Sequence, residues 1–136
     1  MFETFEHTAD LGLRVRAKTL ENLLEEAGRG LFSIMVTNLA DVHGLQERAY
    51  RIEGAAVDYL LFDWLNELLY TFESERLLLG EFQVEIDADG LRATARGEPM
   101  DLNRHRMEHE VKAITYHGLR VEEDADGWLA EVIVDI

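Results

Sequence analysis

The sequence predicts an α+β fold: a two-layer domain with two amphipathic helices packed on a largely antiparallel sheet. Two segments carry apolar residues at helical spacing on one face each, several others alternate apolar with polar residues, and the links between strands are mostly short hairpin turns. With 136 residues, one proline and no Pro-rich or Ser/Gly-rich tract, residues 1–136 are expected to form a single domain. A hydrophobic fraction of 47% is enough for a real core, which excludes disorder of the whole chain.

The elements come in this order along the chain. Residues 2–6 and 11–17 alternate as half-buried strands, with His7-Thr8-Ala9-Asp10 as a polar connection. Thr19 is an N-cap, and Leu20, Leu23, Leu24, Ala27, Leu31, Phe32 and Met35 continue from it with helical spacing. Glu21, Glu25 and Glu26 lie early in that helix, where its dipole favours them. Gly28 and Gly30 lie inside it at a cost of about 1 kcal/mol each relative to alanine, so either the helix bends or something packs close to its backbone. Residues 45–53 read as a weak strand. Val57, Leu60, Leu61, Trp64, Leu65, Leu68, Leu69 and Phe72 then form the broad apolar stripe of the second helix, which needs a sheet beneath it. Residues 77–87 and 91–98 form a hairpin about Ala88-Asp89-Gly90, and residues 115–123 and 128–135 form another about Asp124-Ala125-Asp126-Gly127.

Charge narrows the function classes. Thirteen basic against 28 acidic residues leave a net charge of −15, with Lys18 and Lys112 the only lysines. Such a surface repels phosphate backbones, so direct nucleic-acid binding is not expected, and a basic or metal-bearing partner is. The chain has no cysteine, which removes disulfides, zinc thiolates and thiol nucleophiles and fits a cytoplasmic protein. No signal peptide opens it and no apolar run is long enough to cross a membrane.

Among the side chains that carry chemistry, His105, His109 and His117 have the look of zinc ligands, but no helix with an apolar face begins there to converge the rings. Ser33 and Ser74 are the only serines and neither lies in a Gly-x-Ser-x-Gly elbow. No Gly-rich phosphate loop with its lysine is present. Asp135 ends the apolar run Val132-Ile133-Val134, one residue before the terminal carboxylate of Ile136. If the strands bring Asp10 near, the three form a cluster that repels itself unless a cation is bound, and hard oxygen ligands select Mg²⁺, Mn²⁺ or Ca²⁺. The bland alternative is a frayed C-terminus.

Four segments carry a resemblance: His7-Thr8-Ala9-Asp10-x-Gly12; Gly97-Glu98-Pro99-x-Asp101-x-x-x-His105; Glu110-Val111-Lys112-Ala113-Ile114-Thr115-Tyr116-His117; and Val134-Asp135-Ile136. With the helix Leu60-Leu61-x-x-Trp64-Leu65-Asn66-Glu67-Leu68-Leu69-Tyr70 between them, the sequence resembles the archease family over essentially its whole length. His109 belongs to no motif of that family, and the loop 37–44 is not diagnostic.

The resemblance implies a non-catalytic protein cofactor of the tRNA-splicing and RNA-repair ligase. Such a helper promotes guanylylation of a ligase histidine from GTP with divalent metal and lets the ligase turn over repeatedly. It also places a metal site on Asp10, Asp135 and Ile136, with Ca²⁺, Mg²⁺ or Mn²⁺ as the ion. His7 is then expected to orient Asp10 or touch the partner, and Lys112 to pair with a carboxylate or reach a phosphate. Glu98 and His105 are expected either to bond the loop around Pro99 or, for Glu98, to serve the partner as a functional residue. Two rival readings remain: a chaperone or specificity modulator of a tRNA methyltransferase, and a stand-alone metal-dependent hydrolase acting at Asp10 and Asp135.

Overall fold

A computed structural model describes residues 1–7 and 10–136. Its elements are β1 (Phe2–His7), β2 (Asp10–Ala17), α1 (Leu20–Met35), a short 3-10 turn (Leu39–Asp41), β3 (Gln46–Glu53), α2 (Val57–Glu75), β4 (Leu77–Asp87), β5 (Gly90–Pro99), β6 (Ala113–Asp124) and β7 (Gly127–Asp135). The α+β class holds, with both helices packed on antiparallel strands. Those strands divide between two sheets, β1-β2-β7-β6 and β3-β5-β4. Thr8 and Ala9, half of the expected polar connection, lie outside the described residues; His7 and Asp10 flank them as paired strand residues.

The sequence explains each element. Thr19 caps α1 by accepting the Asn22 amide hydrogen at 3.1 Å. Its interior glycines mark close approach: a Cβ on Gly28 would lie 2.9 Å from Phe82 Cε1, and one on Gly30 would lie 2.6 Å from Leu13 Cδ1. These two contacts let α1 settle on β4 and on β2, so one helix touches both sheets. α2 packs on β6 and on all three strands of the other sheet. Its Trp64 indole donates to the Leu24 carbonyl of α1 at 2.8 Å. It ends at Arg76, whose left-handed backbone (φ 52°, ψ 37°) turns the chain into β4. Leu23, Leu24, Leu31, Phe32, Leu61, Trp64, Leu65 and Leu68 are fully buried where helices and sheets meet. Each such leucine contributes roughly 1.5–3 kcal/mol by leaving water.

Strands from the two ends of the chain meet at the centre of the four-stranded sheet, where β2 lies antiparallel to β7. Among the described residues, no helix is long and apolar enough to cross a membrane.

Candidate functional site

Alternation along β2 and β7 sorts the residues of the four-stranded sheet by face. Leu13 and Val15, with Val132 and Val134, are buried towards the helices. Residues of opposite parity therefore face away from them: Asp10, Gly12 and Arg14 on β2, and Glu131, Ile133 and Asp135 on β7. The register sets Asp10 directly opposite Asp135, with His7 opposite Asp10 on one side and Ala113 opposite Asp135 on the other. Directly opposed residues hold their Cβ atoms about 4.5–5.5 Å apart, so the two carboxylates are immediate neighbours, and like charges so placed destabilise a sheet. Ile136 follows at the edge of this pair, with its side chain against the core.

The strand pairing thus brings Asp10, Asp135 and His7 together, with Ile136 adjoining. Lys112 is exposed at the start of β6, and its backbone amide donates to the Asp135 carbonyl at 2.8 Å. The donor set fits a hard divalent cation, being two carboxylates with main-chain oxygens beside them. Among the described residues, no group of three or more His, Asp or Glu side chains comes together as a metal cage. A cation here would therefore depend on the Asp10–Asp135 pair and on oxygens of Ile136 or the main chain.

Next to this row lies Phe5, opposite Gly12. A Cβ on Gly12 would fall 2.1 Å from Phe5 Cζ, so the absent side chain is what lets the ring lie on the strand. The third row is an ion-pair ladder. Arg14 reaches Glu3 at 3.0 Å and Glu131 at 2.8 Å, and Arg120 reaches Glu131 at 2.6 Å. Burial pushes the Glu131 carboxyl up, but hydrogen bonds from Arg14 and Arg120 outweigh it and hold the group below the ordinary carboxylate value. Between the acidic row and this ladder is an open cavity of about 360 Å³, lined by Phe5, His7, Asp10, Thr115, His117 and Glu131 among others.

Glu98 is elsewhere. By parity it follows Arg92 and Arg96 on the outer face of β5, yet it is buried, because two loops close over it. It accepts hydrogen bonds from the His43 backbone amide and from the Arg104 guanidinium. Arg104 also donates to the Asp41 carbonyl at 3.0 Å, and Asn38 binds the Arg104 carbonyl at 2.9 Å. The buried His105 accepts the Asp101 amide hydrogen at Nδ1 (2.9 Å), which leaves the proton on Nε2, facing Glu98 Oε1 at 3.5 Å. Burial raises the Glu98 pKa, but the hydrogen bonds from Arg104 and the His43 amide and the charge of Arg104 bring it below the ordinary value. Glu98 is thus a brace between the loops 38–43 and 101–106. From that brace the chain runs beside the end of α1, with Thr37 donating to the Arg106 carbonyl and Glu108 to the Met35 carbonyl, and delivers Lys112 to Asp135.

The three histidines that resembled zinc ligands are separated. His105 is in the Glu98 brace, His109 donates from its backbone to Ile34 at the end of α1, and His117 lines the sheet cavity. Sequence reasoning singled out Gly12 only as part of a motif and missed Phe5 and Thr115 as elements of a cavity. The alternation of residues 2–6 and 11–17 was the only local signal for Phe5 and Gly12, and the expected strand 115–123 the only one for Thr115.

Comparison with known proteins gives a consistent result. The model of the Archease protein family matches residues 2–136. Protein archease from Methanopyrus kandleri is 41% identical over 99% of both chains, and that from Pyrococcus furiosus is 40% identical over 99% of this chain and 98% of its own. Among solved structures, that of Methanobacterium thermoautotrophicum protein 1598 superposes with a TM-score of 0.86 at 35% identity, covering 99% of this chain and 98% of its own. The crystal structure of an archease from Thermotoga maritima, described as a possible chaperone, superposes with a TM-score of 0.65 at 25% identity, covering 100% of this chain and 98% of its own.

Proposed function

This chain belongs to the archease family, and from that membership and the in-register pairing of Asp10 with Asp135 we propose that it is a non-catalytic protein cofactor of the tRNA-splicing and RNA-repair ligase, promoting guanylylation and repeated turnover of that enzyme in the cytoplasm. The observation that carries the reading is the pairing itself: two carboxylates from opposite ends of the chain are held side by side on an exposed sheet face. A charge of −15 favours encounter with a basic, phosphate-handling enzyme and leaves RNA to that enzyme rather than to this chain.

Asp10 and Asp135, with Ile136 beside them, would hold a divalent cation (Mg²⁺, Mn²⁺ or Ca²⁺). When bound, such an ion neutralises the carboxylates and offers Lewis acidity to phosphate oxygens. His7, opposite Asp10, orients that carboxylate or meets the partner. Lys112 is anchored by its backbone beside Asp135 and presents an exposed ammonium that pairs with a carboxylate or reaches a phosphate of the partner's substrate. Glu98 serves this arrangement indirectly, as the brace of the segment that ends at Lys112.

The test is RNA-end ligation by the cognate ligase, substoichiometric to RNA, with GTP and Mn²⁺. Wild-type chain is expected to convert single turnover into multiple turnover, and Asp10→Ala to lose that effect. A ligase indifferent to the wild-type chain overturns the reading; nuclease or phosphatase turnover by the purified chain that disappears in Asp10→Ala would replace it with a hydrolase.

A further inference from the structure

We propose that the exposed side of α2, with Tyr116 of β6 beside it, is the surface on which this chain docks a basic face of its protein partner, separately from the Asp10–Asp135 pair. The proposal rests on the ligase reading above and gives the partner's place of attachment.

Tyr59 and Tyr116 stack in the open, with ring centroids 5.3 Å apart and planes 13° from parallel. They are 57% and 40% exposed. The stack is held from both sides: the Tyr116 hydroxyl donates to Asp58 at 2.8 Å, and Phe62 meets the Tyr116 ring edge-on at 5.4 Å. Tyr116 also lies where β6 leaves its register with β7, between Thr115 and Arg120. Tyr70 adds a third ring, 66% exposed, about three turns beyond Tyr59 on the same side of α2. Between these two tyrosines Asp63 and Glu67 are exposed, so two rings bracket two carboxylates along a stripe about 16 Å long. Rings already fixed by stacking and a hydrogen bond lose little freedom when they are covered, which suits them as anchors of a protein interface.

The charge around the rings says what covers them. α2 has five acidic residues and no basic one. Among the described residues only Glu75 of the five has a cationic partner, Arg48. Glu73 stands in the last turn, where the helix dipole favours a cation. A second copy of this chain would bring another net charge of −15 against this stripe. RNA would find rings on which bases can stack, but no lysine or arginine on the helix to hold its phosphates. A basic protein surface uses everything present: its arginine and lysine head groups meet the carboxylates, and their aliphatic stems cover the rings.

Strand β6, at the edge of its sheet, lies between this surface and the acidic pair. Tyr116 packs against α2, while its neighbours Thr115 and His117 line the cavity beside Asp10 on the other face. A partner seated on α2 reaches Asp10 and Asp135 around that edge, so docking and activation answer to different residues.

The experiment measures the affinity of the purified cognate ligase for the full chain by calorimetry, in parallel with the turnover assay. Tyr59→Ala, and Asp63→Lys combined with Glu67→Lys, are each expected to raise Kd at least about tenfold, with the circular dichroism of the folded chain. The loss from charge reversal should shrink as salt is raised. Asp10→Ala should bind as wild type does and fail to activate. Tyr59→Ala should need at least about tenfold more protein for half-maximal activation yet reach the wild-type maximum. Glu85→Lys, at an exposed position of the three-stranded sheet, controls for net charge and should bind as wild type does. Undiminished binding by folded Tyr59→Ala, or an equal loss in Glu85→Lys, overturns the docking surface and leaves the ligase reading standing. Docking that depends on these residues without any gain in turnover does the reverse. A ligase that neither binds nor responds to the wild-type chain overturns both. Binding of RNA by the isolated chain that Tyr59→Ala abolishes also overturns the proposal, because it gives the rings to nucleobases.

Discussion

Replacing Gly12 by alanine should destabilise the fold through one side chain, Phe5. The φ of Gly12 lies outside the left-handed range, so its backbone accommodates alanine. Removing a glycine from a strand interior should then gain about 0.5–1 kcal/mol. Against this, the new Cβ would lie 2.1–2.4 Å from three atoms of the Phe5 ring, which must leave the sheet face. Phe5 is half-buried, so its displacement loses about 1 kcal/mol of the roughly 1.5–3 kcal/mol assigned to full burial of such a side chain. The cation–π contact with Arg14 adds about 0.5–1 kcal/mol to the loss. Gly12→Ala alone is therefore expected to cost about 1 kcal/mol net. In a Phe5→Ala background the same substitution should stabilise by about 0.5–1 kcal/mol, because the ring is no longer there to displace. Urea denaturation of the four proteins measures this cycle. Additivity within about 0.5 kcal/mol, or a stabilising Gly12→Ala in the presence of Phe5, would refute the argument.

Three further outcomes are expected. Because its folded pKa is below the ordinary value of 4.5, Glu98 contributes stability that is present in full above pH 4.5 and is lost as pH falls through its folded value; acid titration of wild type against Glu98→Gln, followed by circular dichroism, should show the difference between the two shrinking across that interval. Asp10→Asn should raise the melting temperature in chelator by relieving repulsion from Asp135, and should lose the stabilisation by Mn²⁺ or Ca²⁺ that calorimetry is expected to show for wild type, about 2.7 kcal/mol at a hundredfold excess over Kd. Trp64→Phe removes the hydrogen bond to Leu24 and part of the packing against Tyr50 and Phe82, and should cost about 2 kcal/mol in urea unfolding.

Local features of the fold were legible and non-local ones were not. The Asp-Gly turns set both hairpins, and the Thr19 cap with its apolar stripe set α1, because each depends on residues within a few positions of one another. Gly28 and Gly30 left open a bend or a close approach, and the structure shows the approach, of Phe82 and Leu13. The division into two sheets and the pairing of β2 with β7 have no local signature, since a half-buried strand alternates in the same way whichever neighbour it takes. Asp10 and Asp135 could be proposed as partners from position and from family resemblance, but their register needed the structure. Glu98 follows Arg92 and Arg96 at outward-facing positions, so alternation alone assigns it to solvent. Its burial comes from the loops 38–43 and 101–106, whose closure depends on Arg104 and Asn38 rather than on any periodicity.

The outer face of the four-stranded sheet separates stability from function row by row. Where the chain needs only a stable sheet, Glu3, Arg14, Glu131 and Arg120 alternate in sign across the strands and neutralise one another. Two residues further along β2 and β7 the same geometry opposes Ile133 to Gly12, and two further still it opposes Asp135 to Asp10, with no arginine in the row. An arginine at either aspartate would extend the ladder and remove the repulsion. The chain instead keeps both carboxylates and places an imidazole, a glycine-seated phenyl ring and a lysine around them. A sheet that can pair its charges two rows away, and does so with two arginines on a single glutamate, has the means to neutralise this pair. On the proposed reading, leaving the pair uncompensated keeps the position open for a divalent ion between the aspartates.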